Sequence, residues 1–64
     1  MVESSKIKLL REKLGLSQEK LARLADISNN TIIYIEAGKQ HNPTIETLEK
    51  IAKALNVPIE ELIK

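Results

Sequence analysis

The stretch from Gln18 to Glu36, QEKLARLADISNNTIIYIE, decides the fold of this chain. Its first part has the pattern of an amphipathic helix that Ser17 can cap, with an apolar side formed by Leu21, Ala22, Leu24 and Ala25. Asp26 and Ile27 interrupt this pattern, and Ser28 can cap a second helix. The stretch therefore predicts two short helices joined by a turn too tight for either helix to continue.

The second of these helices has two different faces. At about 100° per residue, one face carries Thr31, Ile32, Ile35 and Glu36, and an arc on the other side carries Asn29, Asn30, Ile33, Tyr34 and Ala37. The second face has no obvious core to join. Two helices arranged in this way form a helix-turn-helix, whose second helix can enter the DNA major groove and present its N-terminal side chains to base edges.

The residues within and after this stretch resemble the Cro/phage-repressor (Xre-like) helix-turn-helix family. The resemblance rests on the spacing of Gln18, Ala22, Ile27, Ser28, Thr31, Ile32, Ile35 and Glu36, followed by Gly38, Lys39 and Asn42-Pro43-Thr44. The flanking segments REKLGLSQ, EAGK, NPT and LEKIAKALNV fit the same family in order, so that the resemblance runs from about Ile7 to Leu62. It implies an all-α, compact five-helix repressor-like domain that occupies residues 1–64.

The sequence departs from the family pattern in the turn and on the outer face of the second helix. Asp26 stands where Gly is common, and Asp can adopt the left-handed backbone conformation that such a turn requires. Asn29 and Tyr34 stand where Arg is frequent, and Ile33 is apolar. These changes leave the target sequence open.

Composition excludes several classes of protein. A chain of 64 residues without Cys has no disulfides or thiolate metal sites, and it contains no run apolar enough for a membrane span or signal peptide. We expect a cytoplasmic protein without a cofactor or metal. The net charge is +1, a weak electrostatic signal for nucleic acid. Residues 1–42 have a balance of +2 and residues 43–64 a balance of −1, which favours phosphate contacts by the N-terminal part, although a solvated charged surface would have the same balance.

The rest of the chain predicts three further helices. Ser4 or Ser5 can cap a first helix from about Lys6 to Leu14, which Gly15 ends. Its predicted inner face is Ile7, Leu10, Arg11 and Leu14, and Leu9 projects elsewhere. Gly38 ends the third helix. Thr44 can cap a fourth helix with an apolar stripe of Ile45, Leu48, Ile51, Ala52 and Leu55. Asn56 and Pro58 lead into a short fifth helix.

The base-reading candidates lie at the start of the second helix of the motif. Asn29 and Asn30 can pair bidentately with adenine, although capping of the helix would also explain them. Ile33 and Tyr34 can contact a thymine methyl group or a phosphate, or form a small apolar patch for a protein partner. The resemblance implies that Gln18 contacts a phosphate or base edge and braces Asn29. These residues together indicate a half-site that favours A·T pairs.

Phosphate contacts are expected at the two helix starts near Ser17 and Thr44, where backbone N–H groups and the helix dipole favour anions. Lys39 and His41 would flank them from the loop, unless they are simply solvated. A structural ion pair is expected between Arg11 and Glu36, which lie at the edges of two buried faces. The resemblance implies the same Arg–Glu pair.

The predicted unit is a homodimer on a palindromic operator. Its expected interface is an apolar set within seven residues at the C-terminus: Val57, Ile59, Leu62 and Ile63. The alternative is that Ile59 or Ile63 closes the core, or that the chain is a domain of a longer protein.

The sequence contains no Gly-rich phosphate loop, no nucleophile with a partnered His and no carboxylate pair on one face, and therefore does not predict an enzyme. It predicts a sequence-specific regulator of transcription that represses its target genes. The alternative is a protein-interaction module, or an antitoxin that binds both its operator and a toxin.

Overall fold

The computed structural model describes residues 4–39 and 43–63, and every regular element among them is helical. The helices are α1 (Ser4–Lys13), α2 (Gln18–Ala25), α3 (Asn29–Glu36) and α4 (Ile45–Leu55). They are followed by a 3-10 turn at Ile59–Glu61. The prediction of an all-α fold is confirmed.

The short fifth helix that the sequence predicts is present only as this three-residue 3-10 turn, so the count of five helices is not confirmed. Asn56 leaves α4 in a left-handed conformation with φ of 60°. After Pro58 the backbone bonds run from Glu61 N–H to Pro58 O and from Leu62 N–H to Ile59 O, the i to i+3 spacing of a 3-10 turn. The structure is therefore four helices and one turn.

Side-chain caps set the starts of three helices. The hydroxyl oxygens of Ser17, Ser28 and Thr44 accept hydrogen bonds from the backbone N–H groups of Lys20, Asn30 and Thr47, as the sequence predicts for these caps. At the end of α2, Asp26 has φ of 59° and its N–H bonds back to the last turn. This left-handed residue lets the chain reverse direction between α2 and α3, so Asp takes the role that Gly has in the family pattern.

The core lies where α2 meets α3 and α4, with α1 packed on α3. Its largest fully buried side chains come from all four helices and the C-terminal turn: Ile7, Leu21, Ile32, Ile35, Ile51 and Leu62. The predicted division of α3 is confirmed, since Ile32 and Ile35 are buried whereas Asn29, Asn30, Ile33 and Tyr34 are exposed. The fold thus fixes one face of α3 and leaves the other to solvent.

Three apolar residues assigned to buried faces are exposed: Leu14, Leu24 and Ile45. Leu14 lies just after the end of α1, which spans Ser4–Lys13. The helix already includes Ser4 and Ser5, which were the two candidates for the residue before its start. Leu24 lies beside the face of α2 that is buried through Leu21, Ala22 and Ala25. Ile45 is the first residue of α4, ahead of its buried stretch. None of the described helices is long and apolar enough to cross a membrane.

Candidate nucleic-acid interface

The outer face of α3 is an uncharged surface that contains both polar and apolar side chains. Asn29 and Asn30 are exposed in its first turn, and Ile33 and Tyr34 follow one turn later with 36% and 49% of their surface exposed. We call these four residues the α3 outer face. Amides can pair with base edges, and an exposed ring or aliphatic side chain can contact a thymine methyl group.

The cap of α3 is Ser28 rather than either Asn. The Ser28 hydroxyl accepts the hydrogen bond from Asn30 N–H at 3.2 Å. The side chains of Asn29 and Asn30 make no hydrogen bond to any other described residue. Capping therefore does not account for these amides, and their donors and acceptors remain available.

An ion pair beneath the outer face holds α3 against α1. Arg11 Nε donates to Glu36 Oε2 at 2.7 Å, and Arg11 Nη2 donates to Glu36 Oε1 at 3.0 Å. Only 10% and 4% of the two side chains are exposed. Arg11 Nη1 also donates to Leu16 O at 2.7 Å, and this bond ties the loop after α1 to the ion pair. The predicted pair is thus present, and it fixes the end of α3.

The same pair raises the pKa of Arg11 above its ordinary value. The main cause is the side-chain hydrogen bond to Glu36, and burial opposes the increase. A group with a raised folded-state pKa loses its contribution to stability only as the pH rises through that pKa. Since Arg is already charged far above neutral pH, titration of Arg11 does not weaken this contact in ordinary buffers.

Gln18 contacts Glu36 instead of Asn29. Its Nε2 donates to Glu36 Oε1 at 3.0 Å, and no hydrogen bond joins it to Asn29 within the described ranges. Gln18 lines an open cleft of about 430 Å³ together with Lys8, Arg11, Ile33, Glu36 and Ala37. The exposed Lys8 was not predicted as a site residue, because only the packing of α1 on α3 brings it to the edge of the outer face.

The residues predicted to contact phosphate differ in which hydrogen-bond donors they can still offer to a phosphate. Ser17 uses its oxygen as the α2 cap but retains a hydroxyl proton. Thr44 caps α4 and also donates its hydroxyl to Thr47 Oγ1 at 2.9 Å, which leaves backbone N–H groups as the donors at that helix start. Lys39 is exposed directly after Gly38. His41 lies outside the described residues.

The predicted dimer surface is divided between core and surface. Leu62 is fully buried and packs in the core of the domain, so its side chain is not available to a second copy. Val57 and Ile59 are partly buried against the same core, and Ile63 is 40% exposed. The prediction of Leu62 as an interface residue is therefore corrected. Val57, Ile59 and Ile63 remain candidates for the dimer interface.

The described residues contain no group of three or more His, Cys, Asp or Glu side chains that could hold a metal ion. The arrangement at α3 offers hydrogen-bond donors, acceptors and apolar surface on a helix that is held by its buried face and by the Arg11–Glu36 pair. Such a surface suits recognition of another macromolecule.

Relatives in sequence are regulators of transcription. The cryptic phage CTXphi transcriptional repressor RstR of Vibrio cholerae is 45% identical over 60 residues, which cover 94% of this chain and 53% of RstR. An uncharacterized HTH-type transcriptional regulator of Archaeoglobus fulgidus is 38% identical, and the match covers 91% of this chain and 81% of that protein. The chain thus spans about half the length of RstR but most of the archaeal relative.

Solved structures match more than nine tenths of the chain. SinR in complex with DNA superposes with a TM-score of 0.88 at 32% identity, covering 92% of this chain and 97% of that chain. The restriction-modification controller protein C.AhdI from Aeromonas hydrophila gives a TM-score of 0.86 at 31% identity, covering 91% and 86%. The helix-turn-helix family HTH_3 matches residues 7–62. With this match across nearly its whole length, the chain belongs to that helix-turn-helix family.

Proposed function

We propose that this protein is a sequence-specific double-stranded DNA-binding regulator of transcription that represses its target genes. It reads the major groove with the α3 outer face. The observation that carries the proposal is the pair of exposed amides, Asn29 and Asn30, at the start of a helix whose buried face is held by the core and by the Arg11–Glu36 pair. RstR is a transcriptional repressor, and the similar SinR fold is seen in complex with DNA.

The surroundings of α3 support phosphate contacts on both sides of the base-reading face. Lys8 lies at the cleft beside Ile33, and Lys39 follows the end of α3. The capped N-termini of α2 and α4 add backbone donors near Ser17 and Thr44. With few cations available, a single domain holds DNA through a small number of phosphate contacts.

Size favours two copies on one operator. The domain measures 24 × 22 × 19 Å between its Cα extremes, whereas helix-turn-helix dimers bind half-sites about 34 Å apart. One copy carries a single α3 and is too small to span two half-sites, so it can read only one of them. A homodimer on a palindromic operator would read both and would raise the avidity by about 10² to 10⁴.

The test starts with selection of bound sequences from a random DNA pool, followed by affinity measurements on the selected site and on random DNA. Asn30→Ala should cost about 1 to 3 kcal/mol on the selected site and little on random DNA, because it removes a base contact and no charge. Asn29→Ala should behave in the same way. Equal losses on both DNAs would exclude base reading by these amides.

A protein partner is the alternative occupant of the α3 outer face. The observation in its favour is that the large side chains of Ile33 and Tyr34 are both exposed on this face. A complex between SinR and SinI shows that a relative binds a protein. If random-pool selection yields no preferred DNA sequence, a protein partner such as a toxin becomes the better explanation of this surface.

A further inference from the structure

The C-terminal halves of α2 and α4 form an open groove that lies apart from the α3 outer face. The groove has a volume of about 350 Å³, and five residues line it: Leu24, Ala25, Lys50, Lys53 and Ala54. Leu24 is 53% exposed, whereas Ala25 is buried and Ala54 is partly buried against the core. Because the two alanines are small, they leave room beside Leu24 for a large apolar side chain from outside the domain.

Two lysines border this apolar floor without a carboxylate partner. Glu46 and Glu49 precede Lys50 and Lys53 by four residues on α4, the spacing and order that favour ion pairs on a helix. Within the described ranges neither pair is formed, whereas the exposed pair at the same spacing on α2 is formed at 3.9 Å. Both lysines line the groove instead, so their charges are available to a partner.

The groove lies away from the helix ends at which phosphate contacts are expected. Ser17 and Thr44 cap the N-termini of α2 and α4, whereas Leu24 lies in the last turn of α2 and Lys53 in the last turn of α4. At about 1.5 Å per residue, about 12 Å of helix separates Ile45 from Lys53. A duplex that contacts the two N-termini therefore leaves the groove open to a protein.

We propose that this groove binds an acidic amphipathic helix of another protein. An apolar side chain of that helix packs beside Leu24 on the two alanines, as helices do in apolar grooves. Lys50 and Lys53 are three residues apart and therefore adjacent on α4, so they match two carboxylates placed one turn apart on the partner. The inference rests on this complementarity of charge and shape and not on the DNA-binding function.

The combination of features, rather than any one of them, favours this partner. A single exposed leucine needs no explanation, and lysines are usually solvated. Phosphates of nucleic acid would meet the lysines but would bring no aliphatic side chain to the floor of the groove. An acidic amphipathic helix supplies both the charge and the apolar side chain.

A designed peptide tests the groove. The probe is an alanine-based helical peptide with two Glu one turn apart and a Leu on the same face, and its binding to isotope-labelled protein is followed by NMR. The amide signals of Leu24, Ala25 and Ala54 should shift most. Leu24→Ala should weaken binding by about 5-fold or more, because the leucine is the apolar anchor. Leu9→Ala, which removes an exposed leucine of α1, should leave the affinity unchanged.

The same peptide with Gln in place of both Glu tests the charges. Wild type should bind it about 2- to 5-fold more weakly than the Glu peptide, the effect expected of exposed ion pairs. This difference should shrink in Lys50→Gln, because two groups in contact are not additive in a double-mutant cycle. Circular dichroism checks that the variant is folded.

Several results would contradict the inference. No shift at the groove with millimolar peptide, or equal binding of the Glu and Gln peptides, would exclude an acidic helix. Displacement of the peptide by the selected DNA site would assign the groove to DNA, and groove signals that shift with the concentration of the protein alone would assign it to a second copy. The proposed function is tested separately, because Leu24→Ala should keep the wild-type affinity for the selected site whether or not the peptide binds.

Discussion

At the scale of single residues, Arg11 and Glu36 are the charged side chains on which the placement of α3 depends. Arg11 bonds to Glu36 and to Leu16 O from a nearly buried position. Arg11→Met should lower the free energy of unfolding by about 3 to 5 kcal/mol, because it leaves the Glu36 charge buried without its partner. Urea denaturation followed by circular dichroism measures this change.

Arg23 provides the matched control for that experiment. It pairs with Glu19 at 3.9 Å, and 70% and 74% of these side chains are exposed. Arg23→Met should change the stability by less than about 1 kcal/mol, since exposed pairs contribute little. Similar losses in both variants would mean that the Arg11 pair is solvated.

Lys39 allows phosphate anchoring to be separated from base reading. It is exposed at the end of the α3 segment. If it neutralises one phosphate, Lys39→Ala should weaken binding to the selected site and to random DNA alike and reduce the salt slope by about one. Lys53→Ala removes the same charge from the groove beside Leu24 and should leave the slope unchanged. A slope that changes equally in both variants would indicate a general charge effect.

At the scale of helices, the turn between α2 and α3 depends on the left-handed conformation of Asp26. Non-Gly residues adopt this conformation at a cost of about 1 to 2 kcal/mol, and β-branched residues are the least suited to it. Asp26→Gly should therefore raise the melting temperature, and Asp26→Val should lower it. Differential scanning calorimetry compares the variants. Equal melting temperatures for Gly and Val would show that the turn does not depend on this conformation.

The sequence could predict those features of the helices that follow from local chemistry. The hydroxyl caps, the left-handed residues Asp26 and Asn56, and the two faces of α3 are set by neighbours within a turn. The exposure of Leu24 and Ile45 could not be predicted in this way, because helical periodicity does not show how wide the buried contact is. The Gln18–Glu36 bond and the position of Lys8 depend on the packing of three helices, which no single stretch of sequence specifies.

At the scale of the whole molecule, the remaining question is how two recognition helices are brought onto one operator. The domain is shorter than the spacing of successive major grooves, and its C-terminal segment keeps Ile63 exposed beside the partly buried Val57 and Ile59. A two-fold contact through these residues would pair the same surface from both copies. Leu62, by contrast, belongs to the core of each copy.

We therefore expect wild type to dimerise at tens of micromolar and Ile63→Glu to remain monomeric, because a charge on the exposed residue opposes apolar pairing without disturbing the core. Sedimentation equilibrium measures the association, and thermal unfolding confirms that the variant is folded. Leu62→Ala serves as the contrast: it should cost about 2 to 5 kcal/mol of stability through the cavity it leaves in each domain. A wild type that stays monomeric and binds one half-site as tightly as a palindrome would exclude the dimer, since avidity would then contribute nothing.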